Sequence, residues 1–340
     1  MIEANKNAEY FISLLAAAVS DDSEGFALPG KDVRLEEIYR LAQSHGVTAL
    51  VYEFLQKLGF EAPDSAEYRA FTEQYYKAVV KETEQDIAFS EVCGALREGG
   101  AEVMPIKGIV CKHYYPKTYY RSMTDVDILY RGISRDYVHD IMESLGYTMS
   151  GSTASYHDTF VKPPHVSVEL HESPVSKKDL SAPYFDTVFT RAVANADQTL
   201  AMTREDEYIY MLAHAARHFF DGGLGVRPLL DIYLFRLEFS ESLDKKYVKK
   251  ILKSVKLENF EKGMLELVGC WFEGRDSEFV NRELEEFFLS CKPHGTGENS
   301  RLSRAARKRG PMSRLIGRLG FKSKRGDGYE KLERIYAKFR

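Results

Sequence analysis

Paired cysteines are missing from this chain. Its four, Cys93, Cys111, Cys270 and Cys291, lie far apart, and no two stand in CxxC spacing. That argues against a disulfide frame or a zinc knuckle and fits reduced thiols in a cytoplasmic protein. No run approaches about 18 uninterrupted apolar residues, so no transmembrane helix is expected. The opening MIEANKNAEYF lacks a basic segment followed by a long apolar one, so no secretory signal is expected either. No internal repeat is visible. Apolar residues make up 44% of the 340 and charged residues 29%, an ordinary globular balance. The 20 Phe and 21 Tyr need a core, which excludes disorder across the chain. The length suits two domains or three small ones.

The net charge of −4 hides an asymmetry. Residues 291–340 hold 15 Lys and Arg against 4 Asp and Glu, a net of +11, so the preceding 290 carry −15. A basic tail on an acidic body either has a partner of its own, nucleic acid being one, or packs back on the body.

Hydrophobic spacing divides the chain into an N-terminal helical region (1–97), a mixed central region (98–200), a second helical region (201–291) and the basic tail (292–340). Leu35, Ile38, Leu41 and Ala42 keep helical spacing, Gly46 interrupts it, and Val47, Leu50, Val51 and Phe54 resume it. Residues 66–97 form one long candidate helix. The period then changes. AEVMPI (101–106) reads as a strand, Lys107-Gly108 as a turn, and IVCKHYY as a short helix. DVDILY (125–130) and HVSVELHE (165–172) alternate as strands do, with a helix over 134–145 between them. Thr203 with Asp206 resembles a capping box opening the later helices. The architecture expected is α+β, a small mixed sheet with helical segments before and after it.

Chemistry concentrates in residues 101–172. Residues two apart on a strand share a face, about 6.6 Å apart along the chain, so Asp125 and Asp127 project together. Glu169 on a neighbouring strand could complete a three-carboxylate cluster. Such a cluster is electrostatically costly unless neutralised. Mg²⁺ (or Mn²⁺) would do this, since it takes a few carboxylates together with substrate phosphates. Two ions about 3.5–4 Å apart can stabilise the attacking and leaving oxygens of a displacement at phosphorus. Lys107-Gly108 at a strand-to-helix turn offers a cation and backbone N–H groups to phosphate.

Taken together, Pro105-Ile106-Lys107-Gly108, Tyr115-Pro116, Arg121-Ser122-Met123-Thr124-Asp125-Val126-Asp127-Ile128-Leu129 and Val168-Glu169-Leu170-His171 resemble the bacterial "uncharacterised nucleotidyltransferase" family of the DNA-polymerase-β-like superfamily. Ile38–Leu55 is similar to its helical lead-in, and His214–Asp231 to its helical follow-on. The resemblance spans about 30–240. It implies a mixed-sheet nucleotidyltransferase core with Asp125, Asp127 and Glu169 as metal-binding and catalytic carboxylates. Lys107 and Gly108 then stand where the superfamily's Gly-Ser pair holds the triphosphate, with Arg121 and Ser122 beside the nucleotide. Two departures stand out: Lys-Gly replaces Gly-Ser, which removes the serine hydroxyl, and the third carboxylate is Glu where Asp is commoner.

The function expected is metal-dependent transfer of an NMP from an NTP to a small-molecule, protein or RNA acceptor, with release of pyrophosphate. A non-catalytic nucleotide-binding regulatory module and a toxin-like enzyme acting on a protein or tRNA are the alternatives. Each residue also has a plainer reading. Glu169 could be a carboxylate paired with Arg121 or Lys107, and Arg121 could only orient Asp125. His171 shares the Glu169 face and could touch nucleotide or metal, or be a hydrogen-bonded strand-end histidine. His214 and His218, four apart on one helix face, lack the adjacent glutamate of a zinc protease and are read as lining the cleft or satisfying polar groups of the core. Arg227 and Asp231, also four apart, read as a simple helix ion pair.

Overall fold

The computed structural model describes residues 6–153, 156–164, 166–291 and 327–340. Three helices open the chain: α1 (Lys6–Val19), α2 (Leu35–His45) and α3 (Thr48–Lys57). Gly46 takes φ 69°, a left-handed conformation that closes α2 and lets α3 start two residues later. The long helix α4 (Ala66–Glu98) starts where the Ser65 hydroxyl accepts the Tyr68 N–H.

The sheet follows: β1 (Glu102–Ile106), the single turn α5 (Gly108–Cys111), β2 (Val126–Arg131), α6 (Arg135–Ser144), β3 (Thr148–Thr153), β4 (His157–Lys162) and β5 (Val166–His171). Its order is β1-β2-β5-β4-β3. β2 and β5 run parallel and the other neighbours antiparallel, so the sheet is mixed. The short helices α7 (Ala182–Phe185) and α8 (Val188–Arg191) lead to a two-stranded ribbon, β6 (Val193–Ala194) with β7 (Leu200–Ala201). Among the described residues α9 (Arg204–Gly222), α10 (Val226–Phe239), α11 (Lys245–Ser254), α12 (Glu258–Phe272) and α13 (Arg282–Ser290) follow, and α14 (Asp327–Phe339) comes last. Thr203 caps α9 by accepting the Asp206 N–H, as the capping spacing predicts. The fold is α+β. Among the described residues no helix is long and apolar enough to cross a membrane.

Strand alternation sorts the sheet into two faces. Val103, Val126, Ile128, Tyr130, Phe160, Val168 and Leu170 pack with Val92 and Leu96 of α4 and Val138 and Met142 of α6. Met104, Ile106 and Leu129 turn the other way, into a second core shared by α1–α3 and α9–α14. On that face the polar residues Asp127, Glu169 and His171 interrupt the apolar surface. The sheet therefore carries an apolar back and a front on which Met104, Ile106 and Leu129 adjoin the polar Asp127, Glu169 and His171 on neighbouring strand positions.

The described part of the basic tail packs back on the body. Leu332, Ile335, Tyr336 and Phe339 of α14 are buried, and Phe339 lies against Phe219, Phe260 and Phe279. The reading of 292–326 as linker and basic segment, and of its contact with nucleic acid, falls on residues outside those described. The four cysteines are free thiols. The hairpin β3–β4 was not expected from sequence.

Candidate active site

Register brings the carboxylates together. Asp127 on β2 is the direct neighbour of Glu169 on the parallel strand β5, and His171 sits two residues further along β5 on the same face. His171 Nε2 lies 2.8 Å from Asp127 Oδ1 and 3.4 Å from Glu169 Oε2. One ligand atom from each of Asp127, Glu169 and His171 falls within 4.8 Å of the other two, the one such cluster among the described residues. Asp127 and His171 are buried. Asp125 immediately precedes β2, whose first residue is Val126, so the expected strand over 125–130 begins one residue later. It stands beside the cluster as a charge neighbour. Burial first, then repulsion from Asp127 and Glu169, pushes its carboxyl up to about 7.

Lys107 closes the cluster. Its ammonium donates to Asp127 and lies 3.4 Å from both Glu169 Oε2 and His171 Nε2. Asp127 is held well below the usual carboxylate range: burial opposes ionisation, but Lys107 and His171 outweigh it. Glu169 is lowered in the same way, by the His171 hydrogen bond and by Lys107 against its burial. The Lys107 ammonium is raised, its partners Asp127 and Glu169 overcoming burial. The backbone at Lys107 has φ 59° and ψ −127°, a region that strongly favours glycine. Holding a lysine there costs about 1–3 kcal/mol. Gly108 follows because a Cβ would come 2.8 Å from Met123 Sδ and 2.9 Å from Arg121 Nη1.

The segment before β2 is pinned from both sides. Ser122 N–H donates to the Gly46 carbonyl, and the Ser122 carbonyl accepts from Arg227 Nη1 at 2.6 Å. Gly46 leaves room for that guanidinium, since a Cβ there would come 2.8 Å from it. Arg121 makes a two-pronged contact with Asp231, Nε to Oδ1 at 2.8 Å and Nη2 to Oδ2 at 2.7 Å, and Tyr115 donates to the same carboxylate at 2.9 Å. This corrects the expectation of an Arg227–Asp231 helix pair. The planar fork of Arg121 matches the carboxylate, while Arg227 on α10 reaches the loop carbonyl instead. Arg227 Nε is buried without a partner.

These groups line a cleft of about 860 Å³. Lys107, Gly108, Asp125, Asp127 and Glu169 form one wall. Helices α9 and α10 form the other, where His214, His218, Arg217, Arg227 and Tyr210 face them. The rings of His214 and His218 stand 4.5 Å apart. Arg217 Nη1 donates to Tyr156 at 2.5 Å, and Nη2 lies 3.3 Å from His218 Nε2. Arg121 also lines the cleft, with its guanidinium committed to Asp231, whereas His171, buried beside Lys107, and Ser122 do not line it.

Sequence reasoning passed over Tyr156, His157, Tyr210 and Arg217. His157 pairs with His171 across β4–β5, and its Nε2 lies 3.8 Å from Glu169 Oε1. Burial lowers its pKa, so this is a contact of a neutral imidazole at pH 7. The alternation of HDTFVK was its one signal, and it is short.

The donor set suits a divalent cation. Two carboxylates and an imidazole converge, with a third carboxylate close by, and one ammonium offsets their charge. Oxygen ligands suit Mg²⁺ and Mn²⁺, and the imidazole favours the latter.

A sequence model of the family described as "Uncharacterised nucleotidyltransferase" matches residues 31–273. No curated protein matches the chain. A solved structure titled "Solution Structure of Antibiotic-Resistance Factor ANT(2'')-Ia Reveals Substrate-Regulated Conformation Dynamics" is similar at a TM-score of 0.36 and 13% identity. It covers 55% of this chain and 97% of that one. A likeness of that degree carries no argument.

Proposed function

The chain belongs to the uncharacterised nucleotidyltransferase family, and from that premise we propose that it transfers an NMP from an NTP to an acceptor, releasing pyrophosphate, at the Asp127–Glu169–His171 cluster. The observation that carries the reading is the register that sets Asp127 beside Glu169 at the wall of the cleft. Asp127, Glu169 and His171 would hold a divalent ion, Mg²⁺ or Mn²⁺, with Asp125 as a further carboxylate at its side. Such an ion supplies Lewis-acid stabilisation of the charge that develops on the phosphoryl oxygens.

The chain's own residues supply position. Lys107 and the Gly108 turn face the cleft where a triphosphate would lie, and Gly108 admits close approach of the backbone. Arg121 and Ser122 act on the nucleotide through the loop they fix: Asp231, Gly46 and Arg227 grip that loop, and the loop aims Asp125 and Asp127. Glu169, at the cleft wall, is placed to hold metal or to take the acceptor's proton. His214, His218 and Arg217 form the opposite wall, against which nucleotide or acceptor would rest. Catalysis by fixed charges and alignment is what phosphoryl transfer requires.

Titration calorimetry tests this. NTP binding is expected only with Mg²⁺ or Mn²⁺ present, and the double change Asp125→Asn/Asp127→Asn is expected to abolish the metal-dependent part while circular dichroism stays unchanged. Equal binding by wild type and the folded double variant would sink the reading.

A further inference from the structure

The three candidate ligand atoms do not face empty space, because an ammonium already sits among them. Lys107 Nζ bonds Asp127 and lies 3.4 Å from Glu169 Oε2 and 3.4 Å from His171 Nε2. These are the groups whose donor atoms fall within 4.8 Å of one another. A space bounded so closely takes one cation. An ion of the Mg²⁺ class binds oxygen at about 2.0–2.1 Å and tolerates little distortion. The ammonium and a metal therefore exclude each other.

We propose that Lys107 is the resident counter-ion of this site, exchanged for the divalent metal, and that the displaced ammonium serves the phosphates of the nucleotide. Metal binding and phosphate binding are then linked through one side chain. The inference rests on the metal reading above and extends it.

Three features support the exchange. First, the metal-free chain has a buried carboxylate, Asp127, and an uncompensated charge there is strongly destabilising. Lys107 supplies the compensation and lets the site form before any ion arrives. Second, the backbone of Lys107 is held at φ 59° although glycine is favoured there. The residue directly before it, Ile106, pairs with Asp127 across β1–β2. This conformation carries the long side chain back over the cluster from the cleft end of the strand. Third, Lys107 lines the cleft together with Gly108 and Arg227. An ammonium leaving Asp127 has the cleft beside it, and a triphosphate lying there meets it. A flexible four-carbon stem suits such a move.

The alternative is a permanent structural ion pair. The two differ in the sign of one effect. Mn²⁺ binding to the nucleotide-free protein is read by electron paramagnetic resonance for wild type and Lys107→Met. Exchange predicts tighter Mn²⁺ binding by the variant, by about tenfold or more, because a competing like charge a few ångströms away has gone. It also predicts weaker ATP binding at saturating Mn²⁺, by about tenfold, with adenosine binding unchanged. Unchanged or weaker Mn²⁺ binding by the folded variant, with wild type binding normally, overturns the exchange and leaves the metal reading standing. No Mn²⁺ binding by either protein overturns both.

If Lys107→Met does not fold, the wild type alone decides. With an amine-acylating reagent and mass spectrometry, Lys107 labelling is expected to rise severalfold when Mn²⁺ is added. Labelling that does not change while Mn²⁺ binds overturns the proposal.

Discussion

Asp231→Asn probes the joint that holds the candidate site in register. Asp231 is 5% exposed and Arg121 8%, so both charges are out of water. The carboxylate takes two bonds from the Arg121 guanidinium, at 2.8 and 2.7 Å, and one from Tyr115. Asparagine keeps the shape and one acceptor oxygen but loses the charge. Arg121 is then a buried, unpaired cation with Arg227 as a like-charged neighbour; repulsion from Arg121 already helps lower Arg227 to about 10, behind the larger effect of burial. Breaking a buried pair from one side costs about 3–5 kcal/mol. That is a large share of a typical stability of roughly 5–15 kcal/mol. The assay is urea unfolding followed by the fluorescence of Trp271, the single tryptophan, which is buried and bonded to Glu285. The double variant Arg121→Met/Asp231→Leu should recover most of the loss, since apolar replacement of a whole buried pair is often neutral or better. A loss under about 1 kcal/mol in Asp231→Asn would refute the assignment of this pair. So would a double variant no more stable than the single.

Two further outcomes follow from the same geometry. In metal-free protein, Asp125 keeps its proton up to about 7, against 3.8 for the ordinary group. The folded state therefore binds the extra proton between those values. Its stability should fall as pH rises from about 4 to about 7, by up to about 1.4 kcal/mol per unit, and level off above. The depressed groups Asp127 and Glu169 act in the opposite sense and below their ordinary values, so the two windows separate. Asp125→Asn should flatten the upper window, as read by urea midpoints in EDTA; an unchanged slope would contradict the shift. For the tail, Phe339→Ala should cost about 3–5 kcal/mol, because the ring is buried against Phe219 and Phe260. A cost within about 0.5 kcal/mol, the range of a surface change, would show that α14 does not hold the core.

Much of the scaffold is legible in the sequence because its signals are local. Gly46, the Thr203 cap, and the alternation around Asp127 and Glu169 each act within a few residues. The α+β layout follows from them, as does the meeting of Asp127 with Glu169. The hairpin β3–β4 is not legible: TMSGST is small, polar and bulged between Met149 and Gly151, and carries little apolar alternation. The partners of the motif are not legible either. Asp231 lies 110 residues from Arg121, and a local rule assigned it to Arg227 four residues away. In the tail, positive charge masks an apolar stripe. Leu332, Ile335, Tyr336 and Phe339 keep helical spacing, and the structure buries all four. Lys107 reads from sequence as a phosphate contact; its engagement with Asp127, Glu169 and His171 depends on a turn conformation that sequence does not specify.

Nucleotidyl transfer at this cluster is read out by the fate of a labelled α-phosphate. Wild type and Glu169→Gln are incubated with each α-³²P-labelled NTP, Mg²⁺ or Mn²⁺, and cell extract, and both labelled product and pyrophosphate are measured. Wild type is expected to place label on an acceptor with matching pyrophosphate. Glu169→Gln should give roughly 10²–10⁴-fold slower turnover if Glu169 serves as general base, while keeping its melting temperature. Pyrophosphate and label at wild-type rates from Glu169→Gln, or neither from wild type with any NTP and either metal, would contradict transfer at this cluster.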